Sequence, residues 1–151
     1  MSVESFPNKN KAPFSALGFD FGTQRIGVAF GQSLIGTAVP VAIIKARDGI
    51  PNWDELAALI DKWCPDMFVV GLPFNMDGSD SELLLRANKF AKRLNGKYHK
   101  PCYGMDERLS SVAAHEQVAA SGHRSKQDMP IDDIAAQIIL EDWFAEFKRQ
   151  N

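Results

Sequence analysis

The sequence predicts an α/β domain built on a five-stranded mixed sheet flanked by helices, and three observations carry that expectation. Two short apolar runs, Ala16–Phe21 and Ile26–Phe30, flank Gly22-Thr23-Gln24-Arg25, the pattern of an antiparallel pair around a tight turn. A third run, Gly36–Ile44, completes a three-stranded antiparallel meander. Beyond it, helical and strand patterns alternate to the C-terminus, which asks for parallel strands with helices packed against both faces.

Each element has a local reason. Pro40 cannot donate a ladder hydrogen bond, so the third strand belongs at a sheet edge or at a bulge. A helix follows from about Asn52 to Trp63 and Pro65 stops it; Met67–Leu72 then reads as a strand centred on Val69 and Val70. After a Pro73–Gly78 loop, Ser79 or Ser81 caps a helix running to about Asn95, with Leu83, Ala87, Phe90 and Leu94 on one face and Gly96 ending it. A short strand over about 101–105 leads into Asp106-Glu107-Arg108, and Ser110 or Ser111 opens a helix to about Ala120. Residues 122–129 read as polar loop. Asp128 caps the last helix, with Pro130 in its first turn, to about Lys148.

At 151 residues and 45% hydrophobic content, the chain suits a single core, expected over residues 15–148. Residues 1–14 mix Ser, Asn, Lys and Pro without periodicity and read as a loose tail. No run approaches the roughly 18 apolar residues of a membrane span, the N-terminal run is not a signal peptide, and Cys64 and Cys102 stand in no metal-binding or disulfide pattern. A cytoplasmic protein is expected. The net charge of -2 confines any nucleic-acid footprint to a local patch.

Three acids stand where chemistry gathers in such sheets, at strand ends and loops. Asp20 lies among Leu17, Phe19, Phe21 and glycines, where a carboxylate needs a cation or a donor; the alternative is an acid binding turn amides. Gly22 after it keeps the approach free of side chains. Glu107 ends the last strand, although Asp-Glu-Arg also suits an exposed helix start. Asp132 and Asp133 open the final helix, where the dipole favours acids in any case. Asp132 shares helical spacing with Ala135, Ala136, Ile139 and Trp143 and is the better inward-facing candidate. Three converging acids without His or Cys suit magnesium or manganese and phosphate chemistry.

Between Glu82 and Asp106 there is no acid, while Arg86, Lys89, Arg93 and Lys97 line one flank of their helix. Such a flank favours a phosphate backbone, although a solvated face is the commoner meaning of the pattern. Arg25 and Arg108, in the acid-bearing blocks, join these as candidate nucleic-acid contacts. The histidines have no ligand spacing, and the tryptophans are explained by packing.

Four blocks together, Phe19-Asp20-Phe21-Gly22-Thr23-Gln24-Arg25-Ile26-Gly27-Val28-Ala29, Gly71-Leu72-Pro73-Phe74-Asn75-Met76-Asp77-Gly78, Asp106-Glu107-Arg108-Leu109-Ser110-Ser111 and Asp132-Asp133-Ile134-Ala135-Ala136-Gln137-Ile138-Ile139-Leu140, resemble the bacterial YqgF/RuvX family. The order and spacing match from about Ala16 to Phe147. The resemblance implies a ribonuclease-H-like fold related to Holliday-junction resolvases and a metal-dependent nuclease maturing the 5′ end of pre-16S ribosomal RNA. The family's acids carry over onto Asp20, Glu107 and Asp132. The tail is longer than the family usually shows, and the doubled Asp132-Asp133 leaves a one-residue ambiguity; Asp77 or Asp80 could assist.

Three rival readings compete. Asp20-Phe21-Gly22-Thr23 with Gly27 also resembles the first phosphate loop of the actin-like ATPases, but their site lies between two domains and this chain suits one. A branched-DNA resolvase uses the same acids, and a dimer would suit its two-fold substrate. A non-catalytic RNA- or ribosome-binding module would use the basic flank alone. The expected partners are pre-rRNA or branched DNA, a ribosome precursor and no membrane, for a monomer or homodimer.

Overall fold

The computed structural model describes residues 13–75, 77–109 and 131–149; the side chains of residues 109 and 131–133 lie outside the described residues. Outside them too fall residues 1–12, the expected helix from Ser110 or Ser111 to Ala120, the 122–129 loop, and the Asp128 cap with Pro130. The described strands are β1 Ser15–Asp20, β2 Arg25–Gln32, β3 Thr37–Arg47, β4 Ile50–Pro51, β5 Met67–Leu72 and β6 Cys102–Asp106. The described helices are α1 Trp53–Trp63, α2 Glu82–Tyr98 and α3 Ile131–Arg149, with a single 3-10 turn over Glu107–Leu109.

The strands form one mixed sheet in the order β4-β3-β2-β1-β5-β6. The meander is antiparallel, whereas β1 pairs with β5, and β5 with β6, in parallel. The carboxyl ends of β1, β5 and β6 therefore share one edge, the arrangement in which open α/β sheets carry their sites.

Side chains alternate across this sheet, and each face has its own core. Leu17 and Phe19 of β1, with Phe68 and Val70 of β5, pack under α1 and α2. Ala16, Met67, Val69 and Met105 pack under α3 with Ala136, Ile139, Leu140 and Trp143. Helix α3 comes close because glycines lie beneath it. A Cβ on Gly18 would stand 2.8 Å from the Leu140 Cβ, and one on Gly31 2.7 Å from the Phe144 ring. The carboxylate of Glu141 accepts the Ala38 amide of β3 at 2.9 Å, tying the helix to the sheet's far side.

Several local expectations hold. Helix α1 ends at Trp63, Cys64 follows in the left-handed region and then buried Pro65, while Asn52, expected as its first residue, instead caps it by accepting the Glu55 amide. Ser81 caps α2. Pro40 sits beside the register shift where Val28 pairs with Ala42 and Ala29 with Pro40, so Val41 is the bulged residue. Cys64 and Cys102 are free, and burial pushes the Cys102 thiol up to about 12.

Four expectations need correction. The sheet has six strands, because β3 runs on to Arg47 and turns back through Asp48 (φ 52°) and Gly49 (φ 83°) to pair with β4. An Asp-Gly pair between apolar runs is a strong hairpin signal. Gly96 does not end α2, which continues to Tyr98 and closes on His99 in the left-handed region. The inward stripe of α2 begins at Leu84, while Leu83 lies at the margin. Phe14, assigned to the tail, is core: its ring meets Trp143 at 5.9 Å and Phe147 at 5.4 Å.

Trp143 is fully buried and also stacks on Phe147 and Tyr103, so its loss empties the centre of the α3 side. Trp143→Ala is expected to cost about 3–5 kcal/mol of unfolding free energy, read as a fall in the urea midpoint at an unchanged slope.

Candidate active site

Asp20 ends β1, opposite Gly27 of β2. Ala16 and Gly18 face α3, so alternation sends the Asp20 side chain to that same face. It is half-buried and engaged. Gly22 beyond it is required by a close approach: a Cβ there would fall 2.5 Å from the Arg25 carbonyl oxygen, so this glycine serves the turn itself.

Glu107 follows β6 and opens the 3-10 turn. Its carboxylate lies over β5, with Oε1 3.2 Å and Cδ 3.3 Å from where a Cβ on Gly71 would stand. Ile139 of α3 closes the same spot at 2.9 Å, which places Glu107 on the α3 face. The Phe19–Val70 pairing carries Asp20 level with Gly71 one step further along the strands. Asp20 projects from β1, while Glu107, at the end of β6, leans its carboxylate over β5, the strand between them, about one strand spacing of 4.8 Å from the Asp20 column. Two carboxylates on one face, with no His or Cys beside them among the described residues, suit a hard divalent cation.

Helix α3 runs antiparallel to β1, with Leu140 over Gly18 and Phe144 over Gly31, so its N-terminal turn is directed toward the carboxyl edge. Asp132 and Asp133 occupy that turn, and their side chains lie outside the described residues. Among the described residues no three acids, histidines or cysteines form a metal-holding group.

Asp106 points the other way. Gly104 meets Leu72 on the α1/α2 side and Met105 packs under α3, so Asp106 falls on the α1/α2 face and Glu107 on the α3 face. Both Asp106 oxygens accept from Arg108, at 3.1 and 3.2 Å from Nε and 2.6 Å from Nη2. Burial pushes the Asp106 carboxyl up, but the Arg108 hydrogen bonds together outweigh it and leave its pKa below the ordinary value. Asp77 binds the Ser79 amide and hydroxyl and approaches Arg108 through charge alone; Asp80, in the same β5–α2 loop, is exposed.

The basic flank is real and partly spoken for. Arg86, Lys89 and Arg93 line a cleft of about 350 Å³ against Asp48, Gly49 and Ile50 of the β3–β4 turn. Arg86 meets Glu82 at 3.5 Å and donates to the Asp48 carbonyl. Lys97 caps the Trp53 ring at 4.7 Å. Arg25 opens β2 directly opposite Lys45, an exposed cation in the stretch of β3 that runs beyond the expected end at Ile44. This cleft lies on the α1/α2 side, opposite the Asp20 and Glu107 carboxylates.

The family model described as "RuvX: Holliday junction resolvase" matches residues 14–146. The chain belongs to the RuvX family. A Chromohalobacter salexigens protein named "Putative pre-16S rRNA nuclease" is 51% identical over 131 residues, covering 86% of this chain and 88% of its own length. Relatives of the same name from Pseudomonas paraeruginosa (49% identical; 86% and 91% covered) and Aeromonas hydrophila (48%; 87% and 95%) agree. Among solved structures, T. thermophilus RuvC in complex with a Holliday junction substrate superposes with a TM-score of 0.55 at 14% identity, covering 87% of this chain and 94% of that one. That likeness establishes the ribonuclease-H-like resolvase fold for this RuvX-family chain. Among the described residues, no helix is long and apolar enough to cross a membrane.

Two outcomes follow. Gly71→Ala is expected to change stability by no more than about 1 kcal/mol, since the Ile139 terminus can turn aside, but to cut any activity that needs Glu107 by about tenfold or more. Denaturation and turnover measured on one preparation separate the two. The Asp106–Arg108 pair adds stability above the ordinary carboxylate value of about 3.9 and loses it as pH falls through the depressed folded-state value. Wild type should therefore lose more unfolding free energy than Asp106→Asn between about pH 5 and 2.

Proposed function

We propose that this RuvX-family protein is a divalent-metal-dependent nuclease that processes the 5′ end of pre-16S rRNA in the cytoplasm. In this reading Asp20, Glu107 and Asp132 hold the metal. The observation that supports it is the placement of Asp20 and of the Glu107 carboxylate on one face at the carboxyl edge, toward which the N-terminal turn of α3 runs. The names of the relatives, each about half identical over most of its length, support the substrate.

Magnesium or manganese bound there would supply an activated water and neutralise charge on the scissile phosphate and its leaving oxygen. The protein's own part is to fix carboxylate oxygens on rigid strand ends and to leave Gly71 without a Cβ where the Glu107 carboxylate rests. Arg86, Lys89, Arg93, Lys97 and Arg25 are proposed to hold phosphates flanking the scissile one, whereas the Arg108 guanidinium is committed to Asp106. Branched DNA is the second reading, favoured by the family description as a Holliday junction resolvase; a homodimer would suit it.

Labelled 5′-extended 16S precursor and a four-way DNA junction, each with Mg²⁺, Mn²⁺ or EDTA, test the proposal. Cleavage of the precursor is expected only with metal. Asp20→Asn, Glu107→Gln and Asp132→Asn should each fall below about 1% of wild-type turnover with unchanged circular dichroism, and Asp133→Asn should stay active. Junction cleavage without precursor cleavage would favour the second reading. RNA affinity without cleavage of either substrate, unaltered in Asp20→Asn, would make the protein a binding module.

A further inference from the structure

We infer that Arg108 and Asp106 form a clamp that positions Glu107 from the opposite face of the sheet, without either side chain reaching the metal or the scissile phosphate. The inference rests on the reading of Glu107 as a metal-holding carboxylate.

The clamp begins in the backbone. Asp106 Oδ1 accepts the Arg108 amide at 2.9 Å, closing a turn across Glu107, and the same carboxylate is gripped by the Arg108 fork. Residues on both sides of Glu107 are thereby tied to each other. With Asp106 committed to the α1/α2 face, Glu107 is delivered to the α3 face over Gly71.

The guanidinium is itself held. It lies 5.2 Å over the Phe74 ring, and Nη1 stands 3.2 Å from where a Cβ on Gly78 would be, at a φ of 87° that suits glycine. Asp77 adds attraction, and its position is set by Ser79. The clamp therefore joins the β5–α2 loop, which follows Gly71, to the turn that carries Glu107. A planar fork meeting a carboxylate and an aromatic face is geometry that arginine provides and lysine does not. A solvent-touched ion pair adds little stability by itself, so its effect should appear in the placement of Glu107 rather than in the folding equilibrium.

The test needs no nucleic acid. Mn²⁺ binding is measured by calorimetry and by the Mn²⁺-induced rise in melting temperature for wild type, Glu107→Gln, Asp106→Asn, Arg108→Ala, Arg108→Lys and the Asp106→Asn/Arg108→Ala double variant. Glu107→Gln should abolish the high-affinity signal. Each clamp variant, Arg108→Lys included, should weaken Mn²⁺ binding about tenfold, and the double variant should be no worse than Arg108→Ala. Turnover on labelled RNA should fall with KM within about twofold. If Arg108→Ala does not fold, Phe74→Leu, which removes only the ring beneath the guanidinium, should give a smaller loss in the same direction. Wild-type Mn²⁺ affinity and turnover in the clamp variants overturn the clamp while Glu107 keeps its role, and a raised KM alone in Arg108→Ala would make Arg108 a phosphate contact instead. Equal Mn²⁺ binding by wild type and Glu107→Gln removes the reading of Glu107 and the clamp together.

Discussion

The close seating of α3 on the sheet is the constraint from which the rest of this molecule follows. Gly18, Gly31 and Gly71 leave the α3 face of three strands without side chains at the points where Leu140, Phe144 and Ile139 descend. Close-packed interiors tolerate little change in volume, so Gly18 and Gly31, where an added Cβ would meet the Leu140 Cβ and the Thr37 carbonyl, set both the depth and the heading of the helix. The same bareness at Gly71 makes room for the Glu107 carboxylate. Packing and chemistry thus depend on one physical feature, the missing Cβ.

The carboxyl edge divides its labour between the two faces. On the α3 face, Asp20 and Glu107 stand over backbone; on the other, Asp106 is neutralised by Arg108, and Arg86, Lys89 and Arg93 line a cleft against the β3–β4 turn. This separation is physically sensible. The cations of that cleft can attract a phosphate backbone without competing for the carboxylate oxygens on the α3 face. The near-neutral chain achieves locally what its net charge of -2 does not suggest globally.

Much of this was legible residue by residue. Pro40 marked an edge or a bulge, Ser81 was one of two candidate caps for α2, and helices alternating with strands after the meander marked a sheet covered on both sides, because these signals act within a few residues of their cause. Asp48-Gly49 was equally local and was passed over, which cost the short β4 strand and the cation Lys45. Gly96 misled for a different reason. A glycine suits a left-handed cap, but here His99 adopts that conformation and α2 gains another turn, ending with Tyr98 packed on Phe68.

Sequence alone settled the class of the sheet, the identity of Asp20 and Glu107 as candidates, and the basic flank of α2, since periodicity, turn chemistry and spacing are properties of short stretches of chain. Only folding revealed that Phe14 belongs to the core, that Asp106 and Glu107 part to opposite faces, and that Glu107 rests over Gly71. Those facts depend on strand register and on the approach of elements far apart in the chain, and no local signal encodes a distance between them.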